Sequence, residues 1–288
     1  MLSFVGLGLY DERSITLEGR DAIRSADRAF AERYTSTLAG ATIDDLEAHH
    51  GVAIALRDRA GVERDPEPIL DAAETGHAAF LVGGDPMVST THVDLRLRAH
   101  ERGIETRVVH GTTARTVAGS LTGLQNYRFG KATTLPFPRS GRRASGPGGE
   151  GSDDPADAGP DDAVDDGPVG TRHDPGTVPV PDSVLGAIGE NRERGLHTLV
   201  YLDIDAERER YMDASAAAGR LAAPLDDPLG VVVARAGSPK PVVAAGRLST
   251  LADRAFGGPL HLLVVPGELH HLEATALREL AGGPAELL

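Results

Sequence analysis

Two glycine-rich segments carry the chemistry that can be read first. Gly6-Leu7-Gly8-Leu9-Tyr10-Asp11 follows a short apolar run that begins at Ser3, and Gly83-Gly84-Asp85-Pro86 follows another, Ala78–Val82. Glycine lets a backbone approach a ligand closely. Loops at the carboxyl ends of parallel strands face the crevice where open α/β sheets bind ligands. The first segment fails the dinucleotide fingerprint, because Asp11 stands where a third glycine is required, although Glu32 lies near the place of the acidic ribose ligand. A tight strand-to-helix turn without a ligand is its competing reading. In the second segment Pro86 restricts Asp85 to extended conformations, so the backbone sets the direction of the carboxylate. An aspartate so held binds an ammonium or a ribose hydroxyl by charge-assisted hydrogen bonds. Its competing reading is a turn residue that caps the next helix.

Other chemistries are excluded. The chain has no cysteine, which removes disulfides, thiolate zinc sites, iron–sulfur ligation and cysteine nucleophiles. There is no P-loop, since Gly130-Lys131-Ala132 lacks the hydroxyl, and there is neither a nucleophile elbow nor a histidine–glutamate zinc motif. Glu268, His270, His271 and Glu273 lie close in sequence, but their spacing matches no ligand pattern, and adjacent histidines on a helix do not share a face. No metal is expected. His49 and His50 follow a polar helix and are expected to face solvent.

The elements that would position these loops alternate in the N-terminal part. Ser3–Leu7, Ala78–Val82 and Thr106–Val109 read as strands. Thr16 caps a helix that runs to about Asp27, and Asp65-Pro66-Glu67 starts another that Gly76 ends. Ser89, Thr90 and Thr91 are candidate caps for a helix that stops at Gly103. This rhythm predicts a mostly parallel sheet with helices on its faces. Strands return at Ala132–Leu135, Thr198–Ile204, Val231–Ala234, Pro241–Ala245 and Leu260–Val265, before a final helix around Leu272–Ala281. Gly237-Ser238-Pro239-Lys240 reads as a hairpin connection, so the C-terminal sheet is expected to be mixed. Residues 141–176 hold nine acids, nine glycines and five prolines, with Val164 and Val169 as their only large aliphatics. Such a stretch cannot bury enough apolar surface to order itself, and it is expected to be a disordered acidic insertion. The expected fold class is therefore α/β, with an N-terminal α/β domain over 1–111, to which the family resemblance given below assigns cofactor binding, and a C-terminal α/β domain over 112–288.

Charge narrows the partners. Of 288 residues, 29 are Lys or Arg and 43 Asp or Glu, a net charge of −14, and only Lys131 and Lys240 are lysines. An acidic, lysine-poor surface is the style of salt-loving cytoplasms; arginine codon bias in a GC-rich genome is the alternative. Either way the balance argues against nucleic acid and against anionic membrane surfaces. Aromatic residues make up 4% with no Trp, which disfavours a base-stacking platform. No apolar run reaches the ~20 residues of a membrane span, and no signal peptide is visible, so a cytoplasmic location is expected.

Several motifs, taken jointly and in order, resemble the diphthine synthases. They are Gly6-Leu7-Gly8-Leu9-Tyr10-Asp11-Glu12-Arg13, Ala31-Glu32-Arg33-Tyr34-Thr35-Ser36, Gly84-Asp85-Pro86 with Thr90-Thr91-His92, and Leu121-Thr122-Gly123-Leu124 with Tyr127 and Phe129-Gly130-Lys131. Gly195-Leu196-His197-Thr198-Leu199, Leu202-Asp203-Ile204, Ala234-Arg235-Ala236-Gly237-Ser238 and Val265-Pro266-Gly267 continue the series. The insertion at 141–176 departs from the family pattern. The resemblance implies the two-domain tetrapyrrole-methylase-like fold, with S-adenosylmethionine bound between the domains. It also implies trimethylation of the amino group of a modified histidine on translation elongation factor 2, in diphthamide biosynthesis, by a homodimer. By resemblance, Leu9, Asp85, Val88, Thr113, Ala114, Leu202, Ala236 and His261 are the cofactor residues. Thr90, Thr91, Lys131 and Arg128 are candidates for the substrate side, and Arg33, Arg128 and Arg235 for docking. No nucleophile is needed, and the base that must free the acceptor amine is not named by any motif. A methyltransferase of the same fold acting on a corrin precursor or ribosomal RNA is the alternative function.

Overall fold

The computed structural model describes residues 1–32, 38–138, 179–205 and 208–288. The expected disorder of 141–176 and the motif residues Arg33, Tyr34, Thr35 and Ser36 lie outside the described residues.

The N-terminal elements are β1 (Leu2–Gly6), α1 (Leu17–Arg24), β2 (Arg28–Glu32), α2 (Ile43–His50), β3 (Ile54–Arg57), α3 (Arg59–Glu63), α4 (Glu67–Thr75), β4 (Ala78–Val82), α5 (Val93–Glu101) and β5 (Thr106–Val109). The five strands form one sheet in the order β3-β2-β4-β1-β5, and every pairing is parallel. Period-two alternation divides its side chains between two cores. Leu2, Phe4, Phe80 and Val82 pack on one face with Ile69, Leu70, Leu95 and Ala99. Val5, Leu7, Ala79 and Leu81 pack on the other with Ala22, Ile23 and Leu46. Burial on both faces explains why β1 and β4 read as nearly continuous apolar runs.

Local chemistry sets most helix ends as expected. Thr16 caps α1 through Gly19 N–H at 3.0 Å, but α1 stops at Arg24 rather than near Asp27. Gly76 closes α4, whose N-cap is Pro66. The start of α5 differs from expectation. Its N-cap is His92, and none of Ser89, Thr90 and Thr91 caps it, because Thr91 Oγ1 instead donates to Glu63 at 3.0 Å. His49 and His50 are also not alike. Both end α2, but His50 is buried. Leu46 and His50 are four residues apart and share the inward stripe of the helix.

The remaining elements are α6 (Ala114–Thr122), β6 (Thr133–Leu135), α7 (Asp182–Glu193), β7 (Thr198–Leu202), β8 (Ile204–Asp205), β9 (Arg210–Tyr211), α8 (Ala214–Ala222), β10 (Leu229–Ala234), β11 (Val242–Arg247), α9 (Leu248–Ala252), β12 (His261–Val265) and α10 (His271–Ala281). A second five-stranded sheet has the order β11-β10-β12-β7-β6. It is mixed: β6 runs parallel to β7, and the other pairings are antiparallel. Val200, Val232 and Leu263 face a core built with α7, α8 and α9, while Leu199, Val231 and Val264 face one built with α6 and α10. Residues 204 and 205 leave the line of β7 and pair with β9 as a separate short ladder. No helix among the described residues is long and apolar enough to cross a membrane.

Candidate functional site

The carboxyl ends of β1, β4 and β5 are drawn together by glycine. Gly8 and Gly84 form an antiparallel bridge, with Gly84 N–H on Gly8 O at 2.7 Å. A Cβ on Gly6 would stand 2.6 Å from Gly84 O and from Gly111 N, so no larger residue fits this crossing. Gly84 itself has φ 75°. A Cβ there would meet nothing nearer than Thr112 O at 3.9 Å, which leaves the loop backbone open to a ligand.

These strand ends form one wall of a cavity of about 380 Å³. That volume lies in the ordinary range of small-molecule sites, roughly 300–1,000 Å³. The opposite wall comes from the second sheet, through the ends of β7, β10 and β12. Ser89 and Tyr201 span the two walls, with their hydroxyls 3.4 Å apart. All eight residues expected to hold the cofactor line this one cavity: Leu9, Asp85, Val88, Thr113, Ala114, Leu202, Ala236 and His261. They come from loops and strand ends of both sheets. Of the substrate-side candidates, Thr90 also lines it, whereas Thr91, Lys131 and Arg128 do not.

Several of these side chains already have partners. Asp85 is 6% exposed. One oxygen accepts from Met87 N at 3.0 Å, and the other accepts from His110 Nδ1 at 2.8 Å and Gly111 N at 3.3 Å. The carboxylate is therefore held by three hydrogen bonds, and it joins the β4 loop to the β5 loop. Thr113 Oγ1 caps α6 through Thr116 N–H at 3.2 Å. His261 is buried, with Nδ1 accepting from Ala214 N at 3.1 Å and Nε2 donating to Gly258 O at 2.9 Å. Burial lowers its pKa, against the opposing pull of the Gly258 carbonyl and Asp213. His261 thus stays a neutral, fixed wall of the cavity.

Two expected docking arginines have internal partners, although Arg235 also lines the cavity. Arg128 bonds Glu273 Oε2 at 3.1 Å and Gly195 O at 3.0 Å. Arg235 donates to Phe256 O at 2.7 Å. A guanidinium that satisfies internal carbonyls acts as a strut. The acidic and histidine residues near 270 have a similar structural explanation. Glu273 is fully buried and accepts from Gln125 N at 2.8 Å, His270 N at 2.8 Å and His197 Nε2 at 2.9 Å. Burial works to raise the pKa of Glu273, but the His270 and Gln125 amides together with His197 hold the carboxyl below its usual range. Among the described residues no group of three His, Asp or Glu side chains could hold a metal ion.

The sequence reading passed over Tyr10, Tyr211 and Met212, which line the cavity, and His110 beside Asp85. His110 follows β5 directly, so the strand-end rule that singled out Asp85 applied to it equally.

A parallel sheet and a mixed sheet with a cleft between them and glycine turns at its floor define a class, and residues 1–159 match the family model described as Tetrapyrrole (Corrin/Porphyrin) Methylases. The chain is 60% identical to the diphthine synthase of Halorubrum lacusprofundi, over 100% of this chain and 99% of that one. It is 42% identical to the diphthine synthase of Methanosarcina acetivorans, over 100% and 98%. A crystal structure of diphthine synthase superposes with a TM-score of 0.81 at 34% identity, covering 99% of this chain and 98% of that one. The chain belongs to the diphthine synthases, within the tetrapyrrole methylases.

Proposed function

We propose that this protein uses S-adenosylmethionine to trimethylate the amino group of 2-(3-amino-3-carboxypropyl)histidine on translation elongation factor 2, giving diphthine. The observation that carries the reading is that the eight residues assigned by resemblance all line one cavity, in a chain whose named relatives match it end to end. The cavity suits the cofactor. Leu9, Val88, Leu202 and Ala236 give it apolar walls.

S-adenosylmethionine supplies an electrophilic methyl carbon on a sulfonium. The protein contributes placement and exclusion of water rather than a covalent intermediate. Leu9, Val88, Thr113, Ala114 and Ala236 present backbone groups that orient the ligand, Asp85 fixes the floor, and His261 closes the side. We further assign cofactor binding mainly to residues 1–111 and completion of the cleft to 112–288. The working form is a cytoplasmic homodimer that binds neither nucleic acid nor membrane. A corrin-precursor or ribosomal RNA methyltransferase is not favoured, because the named relatives at 42% identity and above are diphthine synthases.

The test is mass spectrometry of elongation factor 2 carrying the aminocarboxypropyl-histidine, incubated with the protein and S-adenosylmethionine in concentrated KCl. A trimethyl shift on that residue, absent from unmodified factor, is expected. Cofactor binding without any shift would move the protein to another acceptor.

A further inference from the structure

The acceptor amine attacks only after losing a proton, yet no free base faces the cavity among its carboxylates and imidazoles. Asp85 accepts from Met87, His110 and Gly111. Asp203 accepts from Phe137 N at 2.8 Å and Ile204 N at 3.0 Å. His261 has both ring nitrogens on backbone groups. His110 is different: it is not one of the residues that line the cavity, but it bonds Asp85, which is. His110 leaves the end of β5 next to the glycine crossing, and its side chain is 78% exposed. Its Nδ1 lies 2.8 Å from Asp85 Oδ2. An ionised carboxylate only accepts, so Nδ1 carries the hydrogen. The lone pair of the neutral ring is then on Nε2, which has no partner among the described residues and is open to a group arriving from outside. Asp85 is also the only charged group paired with His110 among the described residues. A buried carboxylate that fixes an imidazole tautomer and leaves the other nitrogen free is the arrangement general bases use.

We propose that His110, oriented by Asp85, is the base that deprotonates the acceptor amine. The inference rests on the amine-methylation reading above. In each transfer Nε2 takes a proton from the substrate ammonium. The freed nitrogen lone pair forms the new N–C bond as the C–S bond breaks, and that electron pair stays on sulfur as a neutral thioether. The imidazolium then releases its proton to solvent. Three transfers release three protons and leave a quaternary nitrogen, which explains why the reaction stops there. Its exposure suits an acceptor that arrives on another protein.

The first test needs no turnover. Long-range proton–nitrogen spectra of the protein alone should show His110 as the Nδ1–H tautomer, and Asp85→Asn should abolish that preference. The second uses His110→Asn, whose amide keeps a donor toward Asp85 but lacks a basic nitrogen. Its kcat for factor methylation should fall about 100-fold or more, the usual range for a lost general base. Calorimetric affinity for S-adenosylmethionine should stay within about twofold. His110→Ala should fall similarly and recover in part with added imidazole. An Nε2–H tautomer in the wild type, or a His110→Asn variant within threefold of wild-type kcat, would overturn the assignment and leave His110 as a support for Asp85. A wild type that methylates nothing on the factor would instead overturn the proposed function, and this inference with it.

Discussion

His50 offers a sharp perturbation, because the fold buries it without giving it anything to bond. Its residue is 4% exposed, and neither ring nitrogen has a hydrogen-bond partner. Burial, followed by the neighbouring His49 and Arg24, lowers its pKa from 6.5 to about 4. The sign follows directly. Between these two values the unfolded chain binds a proton that the folded chain refuses, so stability falls as pH falls. The contribution is intact above the unfolded value of 6.5, is lost progressively toward 4, and levels off below. From about pH 7.5 to about pH 5 the shift is worth roughly 2 kcal/mol, a large part of a typical margin of about 5–15 kcal/mol. His50→Leu keeps an apolar group of similar size at this position and removes two unsatisfied nitrogens. It should be at least as stable as wild type at about pH 7.5 and should lose roughly 2 kcal/mol less on acidification to about pH 5. His197 and His261, whose pKa values burial also lowers, titrate in both proteins and cancel in the difference. Urea unfolding across that pH range at constant high KCl measures it. Parallel losses in the two proteins, within about 0.5 kcal/mol, would refute the argument, because the linkage relation leaves no other source for the difference.

Three further outcomes are expected. Glu273→Ala strands the Arg128 guanidinium, the His197 N–H and two backbone amides; it should cost about 3–5 kcal/mol of unfolding free energy, and Glu273→Gln clearly less. Gly6→Ala pushes a methyl group into Gly84 O and Gly111 N, so calorimetry should find S-adenosylmethionine affinity reduced at least tenfold, with a lower Tm. Asp85→Ala leaves Met87 N without its acceptor and releases His110; cofactor affinity should weaken by roughly 1–3 kcal/mol, and unchanged affinity would mean that the carboxylate serves only the turn and His110.

Much of the fold is legible along the chain. The apolar runs at Ala78–Val82 and Val231–Ala234 become strands because the pattern is local and the burial two-sided. Thr16 and Gly76 mark helix ends through hydrogen bonds within a few residues. The glycine segments were readable as floor loops for the same reason: strand, turn and required backbone freedom are adjacent in sequence. The eight cleft residues were reached by resemblance rather than by physics, and Asp85 alone had a local argument for its direction.

What stayed hidden depends on partners far away in the chain. His92 starts α5 because its ring reaches Glu32, 60 residues earlier, at 3.0 Å. Glu273 is a buried acceptor for the Gln125 amide, 148 residues earlier. Arg128 and Arg235 looked available for docking until internal carbonyls claimed them, and His50 looked wet until α2 turned it inward. The sequence by itself determined which segments are strands, which turns need glycine, and which chemistries have no residues to perform them. Only the tertiary structure decided which polar side chains are spent on holding the two sheets and which, like His110, still have a free atom. Hydrogen-bonding capacity is a property of the residue, whereas its use depends on what packing brings within about 3 Å.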